Sequence, residues 1–416
     1  MPSAPLSERS RASELAALRT AAAVRERCGL VYRWVAQDRS PHFFLDEALL
    51  PRVADYVADV MRATYPDLKI PYHSRWRHFS TGGIDRWGAL AAELGGDPVE
   101  QARAAGDLAT VSVLLDAGAG EAWHYREATS GMRLARSEGL AVASLDMFRS
   151  GLFSSDAKQR NRVDSIALTA IEPTRLARHF QVSAANPLIG VEQRAALLRR
   201  LGQALADRPD LFGTAPARPG DLIDHFLRTA RDQCITAAAV LATLLDALSP
   251  IWPSGLTVNG LPLGDAGRHP AVRAADATDH IVPFHKLSQW LTYSLLEPLA
   301  AAGLSVQGID ALTALAEYRN GGLLIDLGVI RPRPAFDLQA RHAVHSEAIV
   351  EWRALTVALI ERLLEPVRAK LKRDASFSLP HLLEGGTWSA GRKIALALRP
   401  PDGPPPISVA ADGTVF

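Results

Sequence analysis

Apolar residues recur three and four positions apart through most of this chain, and that spacing dictates a fold built from helices. Leu50, Val53, Val57 and Val60–Met61 form one such face, with Pro51 suited to a first helical turn. The same reading predicts helices over Ala12–Arg27, Asp107–Leu115, Asp164–Phe180, Gly190–Asp207, Asp221–Leu248 and Phe336–Lys372. In the last of these Glu347, Glu351 and Glu365 point outward. Arg136–Phe148 reads as a helix with Ser137 as its N-cap and Glu138 in its first turn. Strand signals are few and short. Leu256–Leu263 fits a hairpin about Asn259-Gly260, and a further edge strand or hairpin is expected at Asp412-Gly413. No period of solenoid type is present. The fold class is mainly α, a large multi-helix domain with minor β elements. Residues 1–416 read as one α-rich catalytic domain, and Pro209–Gly220, with three Pro and two Gly, is the best internal linker or loop.

Charge and cysteine content narrow the function. Forty-six Lys and Arg stand against 45 Asp and Glu, which argues against a dedicated nucleic-acid binder. Cys28 and Cys234 make neither a disulfide framework nor a metal-ligand spacing and read as small apolar residues on helices. The first twenty residues lack a signal-type apolar core. The longest apolar runs, such as Ile235–Leu248, are broken by Thr and Asp and fall short of the roughly 20 residues of a membrane span. A soluble, cytoplasmic protein without membrane contact is expected. Dinucleotide, P-loop, zincin and serine-hydrolase signatures are absent. His342 and His345 form an i,i+3 pair with no clear third ligand, which is weak evidence for zinc, and no metal or other cofactor is expected.

The densest chemistry falls in Asp279–Ile330. A helix after Pro283 would bury Phe284, Leu287, Leu291 and Leu295 and align Lys286, Gln289 and Tyr293 on another face. That polar face could grip an oxygen-rich ligand or simply meet solvent. A second helix, Ile309–Arg319, would end in Glu317-Tyr318-Arg319, with Asn320-Gly321-Gly322 as a sharp reversal. A carboxylate there suits an acid, a base or an ion stabiliser, or a local ion pair with Arg319. The negative end of the helix would raise the Glu317 pKa and Arg319 would lower it. Three further clusters stand out. Arg75, Arg77 and His78 surround Trp76 and could bind an anion or be surface charge. Asp116, Trp123, Tyr125, Ser137 and Glu138 could wall a pocket or belong to the core. Glu384, Thr387, Trp388 and Arg392 lie about Gly385-Gly386 and Gly391 in what reads as a loop.

The stretches DATDHIVPFHKLSQWLTYSLLEPL, LAEYRNGGLLIDLGVI, VSVLLDAGAGEAWHY, RSEGLAVASLDMF, IPYHSRWRHF and LEGGTWSAGRKIA together resemble the uracil-catabolism family of fungi and bacteria. That resemblance covers nearly the whole chain. It implies a place in a pyrimidine-degradation route that opens uracil-ribose compounds. A more distant likeness joins FHKLSQ and AEYRNGGLLIDLGVI to the FYKRAQ and FADYR-x-P motifs of the queuosine-salvage nucleosidases. Those are helical enzymes with a DNA-glycosylase-like core that cleave an N-glycosidic bond. The likeness puts Glu317 at their catalytic aspartate and Gly321 at their proline, and carries Lys286, Gln289, Tyr318 and Arg319 across position by position. His78 and residues 384–392 correspond more loosely.

The resemblance implies an N-ribosyl hydrolase acting through an oxocarbenium-like state, with Glu317 opposing that charge or activating water. Asp279, Lys286 and Arg319 would hold the ribose and any phosphate, and Trp388 or Trp123 would stack on a planar group. Gln289, Tyr318, Arg77, His78, Ser137, Glu138, Glu384, Thr387 and Arg392 complete the substrate-binding candidates. The partner is a small molecule, a ribosylated urea or pyrimidine derivative with or without a phosphate. Glu in place of Asp favours an alternative, a ligand-binding or scaffold protein of the same pathway without turnover. A nucleic-acid glycosylase is disfavoured by the near-neutral charge.

Overall fold

Helices carry the fold, and among the described residues strands occur only as short pairs, as the spacing dictates. The computed structural model describes residues 8–410 apart from 215 and 254, so the expected strand at Asp412-Gly413 lies outside the described residues. The chain separates into two compact units. The first draws on residues 8–73, 255–286 and 310–410, the second on 74–253 and 287–309.

In the first unit the longest helix, Glu347–Leu371, is buried through most of its first four turns. Helix Ala21–Ala36 packs beside it, with Val24, Cys28 and Val31 meeting Val350, Ala354 and Val357. Thr20 starts that helix by accepting the Ala23 N–H at 3.1 Å. Helices Leu50–Thr64, Tyr318–Asp326 and Ser389–Leu398 also belong to this unit. Phe43–Leu45 pairs antiparallel with Ile330–Pro332, and Ala266–Arg268 with Ile281–Pro283. The hairpin Leu256–Val258 with Leu261–Gly264 forms about Asn259-Gly260 as expected, both turn residues at positive φ.

A buried ion pair ties these parts together. Arg353, on the long helix, grips Asp265 through two parallel hydrogen bonds of 2.8 Å. Asp265 Oδ2 also accepts the Lys286 N–H at 3.0 Å, and its carbonyl accepts the Phe284 and His285 N–H groups. Burial works to raise the Asp265 carboxyl, yet the guanidinium outweighs it and holds the group below the usual range. Nearby, His269 donates from Nε2 to Glu351 at 2.9 Å while its Nδ1 accepts the Ala271 N–H, and Ser40 donates to the other Glu351 oxygen. Glu351 therefore points inward, unlike the exposed Glu347 and Glu365.

In the second unit helix Pro98–Leu114 is capped by Asp97 and buried throughout from Ala104 onward. It packs with helices Arg136–Ser150 and Val191–Ala206, and the hairpin His124–Arg126/Arg133–Ala135 packs on helix Arg136–Ser150. Residues 209–220 lie inside this unit, with Pro219 and Gly220 buried. Arg218 meets Asp107 at 2.7 Å, and a Cβ at Gly220 would come within 2.3 Å of the Arg103 carbonyl. Only glycine admits that approach.

Several helices differ from the spacing-based expectation. Ala12–Arg27 is broken between Ala16 and Ala21, and Asp164–Phe180 is split before Pro173. Asp221–Leu248 is interrupted by Asp232 and Gln233 at positive φ and by strand Cys234–Thr236, so Cys234 is not helical. The last long helix starts at Glu347, because residues 333–346 turn and pair as strand Arg341–Ala343 with Ser408–Ala410. His342 sits on that strand. Ala135, not Ser137, occupies the N-cap of helix Arg136–Ser150.

The Asp265–Arg353 pair sets a stability contrast. Asp265→Ala strands a buried guanidinium and is expected to cost about 3–5 kcal/mol in denaturant unfolding. Asp59→Ala, which breaks the exposed Arg62–Asp59 pair of 3.0 Å, should change stability by about 0.5 kcal/mol or less.

Candidate active site

Glu317 does not close a helix. Residues 309–311 form a single 3-10 turn, residues 312–316 run buried without helical structure, and Glu317 is the N-cap of helix Tyr318–Asp326. Its Oε2 accepts the Arg319 and Asn320 N–H groups at 2.7 and 3.0 Å, and Oε1 shares the Arg319 N–H at 3.0 Å. The carboxylate thus meets the positive end of a helix dipole, the reverse of the expected geometry. Gly321 and Gly322 lie within the helix and are buried, not at a reversal. A Cβ on Gly321 would come within 2.7 Å of the Trp352 ring nitrogen.

Burial nevertheless dominates. Glu317 is 7% exposed, and desolvation pushes its carboxyl above its usual value of 4.5. Lys286, the Asn320 N–H, Arg319 and His73 oppose that rise, in that order. The structure therefore brings Lys286, Arg319 and His73 to act on one buried carboxylate.

Each of these groups is fixed by the fold. Lys286 opens helix Lys286–Ala301, its backbone held by Asp265. Arg319 Nη1 donates to the Gly403 carbonyl at 2.8 Å, and its guanidinium lies over the Tyr318 ring at 4.9 Å. Arg399 grips Asp326 through bonds of 2.8 and 2.6 Å, so the proline-rich stretch after residue 399 folds back onto helix Tyr318–Asp326. His73 donates its backbone N–H to the Pro380 carbonyl and meets Glu384 through Nδ1 at 2.7 Å.

Residues 382–398 are helical, not a loop. Leu382–Trp388 is a π-helix that runs into helix Ser389–Leu398. Such wide turns cluster at functional sites. Gly385 and Gly386 lie against Ile70, Met61 and Val57, where a Cβ would come to 3.0 Å or less. Gly391 lies against the Arg319 carbonyl, where a Cβ would come to 2.2 Å. Gly385 and Gly386 let the π-helix approach helix Leu50–Thr64 and Ile70 closely, and Gly391 lets its continuation approach the Glu317 helix. The half-buried Trp388 ring stands 6.4 Å from His73, with the Arg392 guanidinium 5.7 Å from the Trp388 ring centre. Thr387 is fully buried, and its Oγ1 and the Asn320 Oδ1 have no hydrogen-bond partner among the described residues.

Asp279 is not among the groups that act on Glu317. It accepts the Ala274 N–H at 2.9 Å and pairs with Arg273 and His280. A cavity of about 540 Å³ also lies in the first unit, lined by Val35, Phe44, Glu47 and Arg333 among others. It shares no residue with the Glu317 group and gathers no buried ionisable side chain.

The other candidates belong to the second unit. Arg75 is fully buried, donates to Ser112 at 2.6 Å and to the Ser137 carbonyl at 3.1 Å, and forms an ion pair with Asp116 at 3.0 Å. Ser137 donates to Asp116 at 3.1 Å, and Glu138 adds its field to Arg75. His78 packs edge-on against Trp290. Arg77 spans both oxygens of Glu297 at the surface. Trp123 is buried and donates to the Phe180 carbonyl, as a core residue does. Gln289 and Tyr293 are fully buried on helix Lys286–Ala301.

The sequence reading missed His73, five residues before the His78 it chose, and Asp265. Both lie in turns, where no periodicity marks an inward side chain. Among the described residues no group of three or more His, Cys, Asp or Glu is placed to hold a metal, and no helix is long and apolar enough to cross a membrane.

Comparison with known proteins assigns relatives to this arrangement. Residues 17–416 match the model of a family described as a protein of unknown function, DUF1688. The chain is 42% identical over 383 residues to Protein urg3 of Schizosaccharomyces pombe, covering 90% of this chain and 92% of that protein. It is 38% identical over 427 residues to Uracil catabolism protein 4 of Lachancea kluyveri, covering 94% and 97%.

Buried ionisation has a measurable consequence. The folded state holds the Glu317 proton more tightly than the unfolded chain, so stability falls as pH rises from 4.5 through the raised pKa. Above that window the cost of ionisation is fully present. Glu317→Gln keeps an oxygen for the cap without the charge. It should melt at or above the wild-type temperature at pH 7, with the difference shrinking as pH falls below 4.5, read by calorimetry across pH.

Proposed function

The chain belongs to the DUF1688 family and is similar over most of its length to Protein urg3 and Uracil catabolism protein 4, and on that premise we propose that it serves uracil catabolism as an N-ribosyl hydrolase. The substrate is a ribosylurea or a related uracil-derived riboside. The observation that carries this reading is Glu317: a buried carboxylate, fixed by two backbone N–H groups and under the electrostatic influence of Lys286 and Arg319.

Breaking a bond from the anomeric carbon to nitrogen leaves positive charge on the sugar ring. A fixed anion in a water-poor site stabilises that charge without reorganising. Glu317 meets both conditions, and its raised pKa brings it nearer the range of an effective base for the attacking water. Lys286 and Arg319 offset part of the cost of its burial. Lys286 is also the cation best suited to a ribose hydroxyl or a phosphate. Trp388 offers a flat, half-buried face for the planar leaving group.

Glu317→Gln should lower urea release from N-ribosylurea by about a hundred- to ten-thousand-fold with the fold intact. Wild-type turnover in that variant would end the reading. Trp388→Ala should raise KM about tenfold, the loss of about 1.4 kcal/mol of stacking, and leave kcat within about threefold. Steady-state kinetics on the same substrate measures both.

A further inference from the structure

We propose that His73, oriented by Glu384, is the acid that protonates the departing nitrogen. This rests on the N-glycosidic reading above and assigns the one step that Glu317 leaves open. Urea departs poorly as an anion, so its nitrogen must gain a proton as the bond breaks.

The geometry provides a donor. His73 is 5% exposed and is pinned twice by one segment: its backbone to the Pro380 carbonyl, its ring to Glu384 on the π-helix that follows. With Nδ1–H donating to the Glu384 carboxylate, the tautomer is set and the ring cannot rotate freely. The imidazolium then carries its transferable proton on Nε2. Gly385 and Gly386, against Ile70, Met61 and Val57, hold the π-helix close enough for Glu384 to reach the ring. The same histidine acts electrostatically on Glu317 and stands 6.4 Å from Trp388, the stacking face proposed for the leaving group. The charged groups about it include Glu384 and Glu317, with Lys286 and Arg319 acting on Glu317 in turn.

The step balances. Water adds its oxygen to the anomeric carbon and gives a proton to the Glu317 carboxylate. The carbon–nitrogen bond breaks, its electron pair stays on nitrogen, and the His73 Nε2 proton moves to that nitrogen. Ribose and urea leave. The proton on Glu317 and the vacancy on His73 are reset through solvent, with no net change in the protein. Glu384 is a positioning residue: it touches His73, not the substrate.

Two substrates test this. N-Ribosylurea needs a proton on its leaving group, whereas p-nitrophenyl β-D-ribofuranoside releases a stable anion without one. His73→Ala should slow the first by about a hundredfold or more and the second by about threefold or less. Glu384→Gln should show the same selectivity with a smaller loss, and Glu317→Gln should slow both substrates. Thermal melts check that each variant is folded. Equal losses on both substrates in folded His73→Ala, or no loss on either, would overturn the assignment while leaving the hydrolase reading standing. Cleavage of neither substrate by the wild-type protein would overturn the hydrolase reading and this assignment with it.

Discussion

The first unit is organised around one buried ion pair, Asp265 with Arg353. A carboxylate out of water is tolerated only when its lone pairs are met, and here a guanidinium and the Lys286 N–H meet them. The pair fixes the end of the 266–268/281–283 ribbon against the long helix 347–371. It also fixes where helix Lys286–Ala301 begins. Lys286 owes its place to this contact, and the field of Lys286 is the largest influence opposing the rise in the Glu317 pKa. A structural ion pair thereby sets the electrostatics of the candidate site at one remove.

Glu317 shows how two opposing effects are ranked. The helix N-terminus, two N–H groups and nearby cations all favour the anion. Burial disfavours it and wins, so the net shift is upward. A glutamate in this state opposes positive charge when ionised and takes a proton more readily than an exposed one. That combination suits a group that must oppose positive charge and then accept a proton from water. A stabiliser alone would need no raised affinity for protons.

The mainly helical class was legible because it depends only on the spacing of apolar residues. Leu50–Thr64 and the Asn259-Gly260 hairpin follow from local chemistry and appear as expected. What spacing could not resolve was the short apolar run Leu312–Ala316. A buried helix segment and a buried extended segment look alike over five residues. Reading it as helix put Glu317 at the wrong helix end and turned Gly321-Gly322 into a break. Likewise Gly385, Gly386 and Gly391 signalled a loop, yet each is glycine because another backbone or side chain lies where its Cβ would be. Glycine reports close approach as readily as it reports a turn, and only the tertiary partner distinguishes them. Glu351 read as outward for a related reason: nothing local announces that His269 and Ser40 wait for it inside.

The exchange of aspartate for glutamate, relative to the queuosine-salvage nucleosidases that the EYRNGG stretch resembles, fits the capping geometry. An N-cap aspartate reaches the N2 and N3 amides with a short side chain that has little freedom to extend elsewhere. In glutamate the added methylene lets the carboxylate curl back to the same amides while Oε1 keeps capacity for another donor. Two backbone N–H groups on Oε2 withdraw the electron density that a nucleophilic attack would use. A carboxylate so held is a weak nucleophile but a well-fixed charge, and its raised proton affinity comes from burial rather than from these bonds. Under the hydrolase reading, the longer side chain therefore favours direct attack by water over a covalent glycosyl intermediate on Glu317.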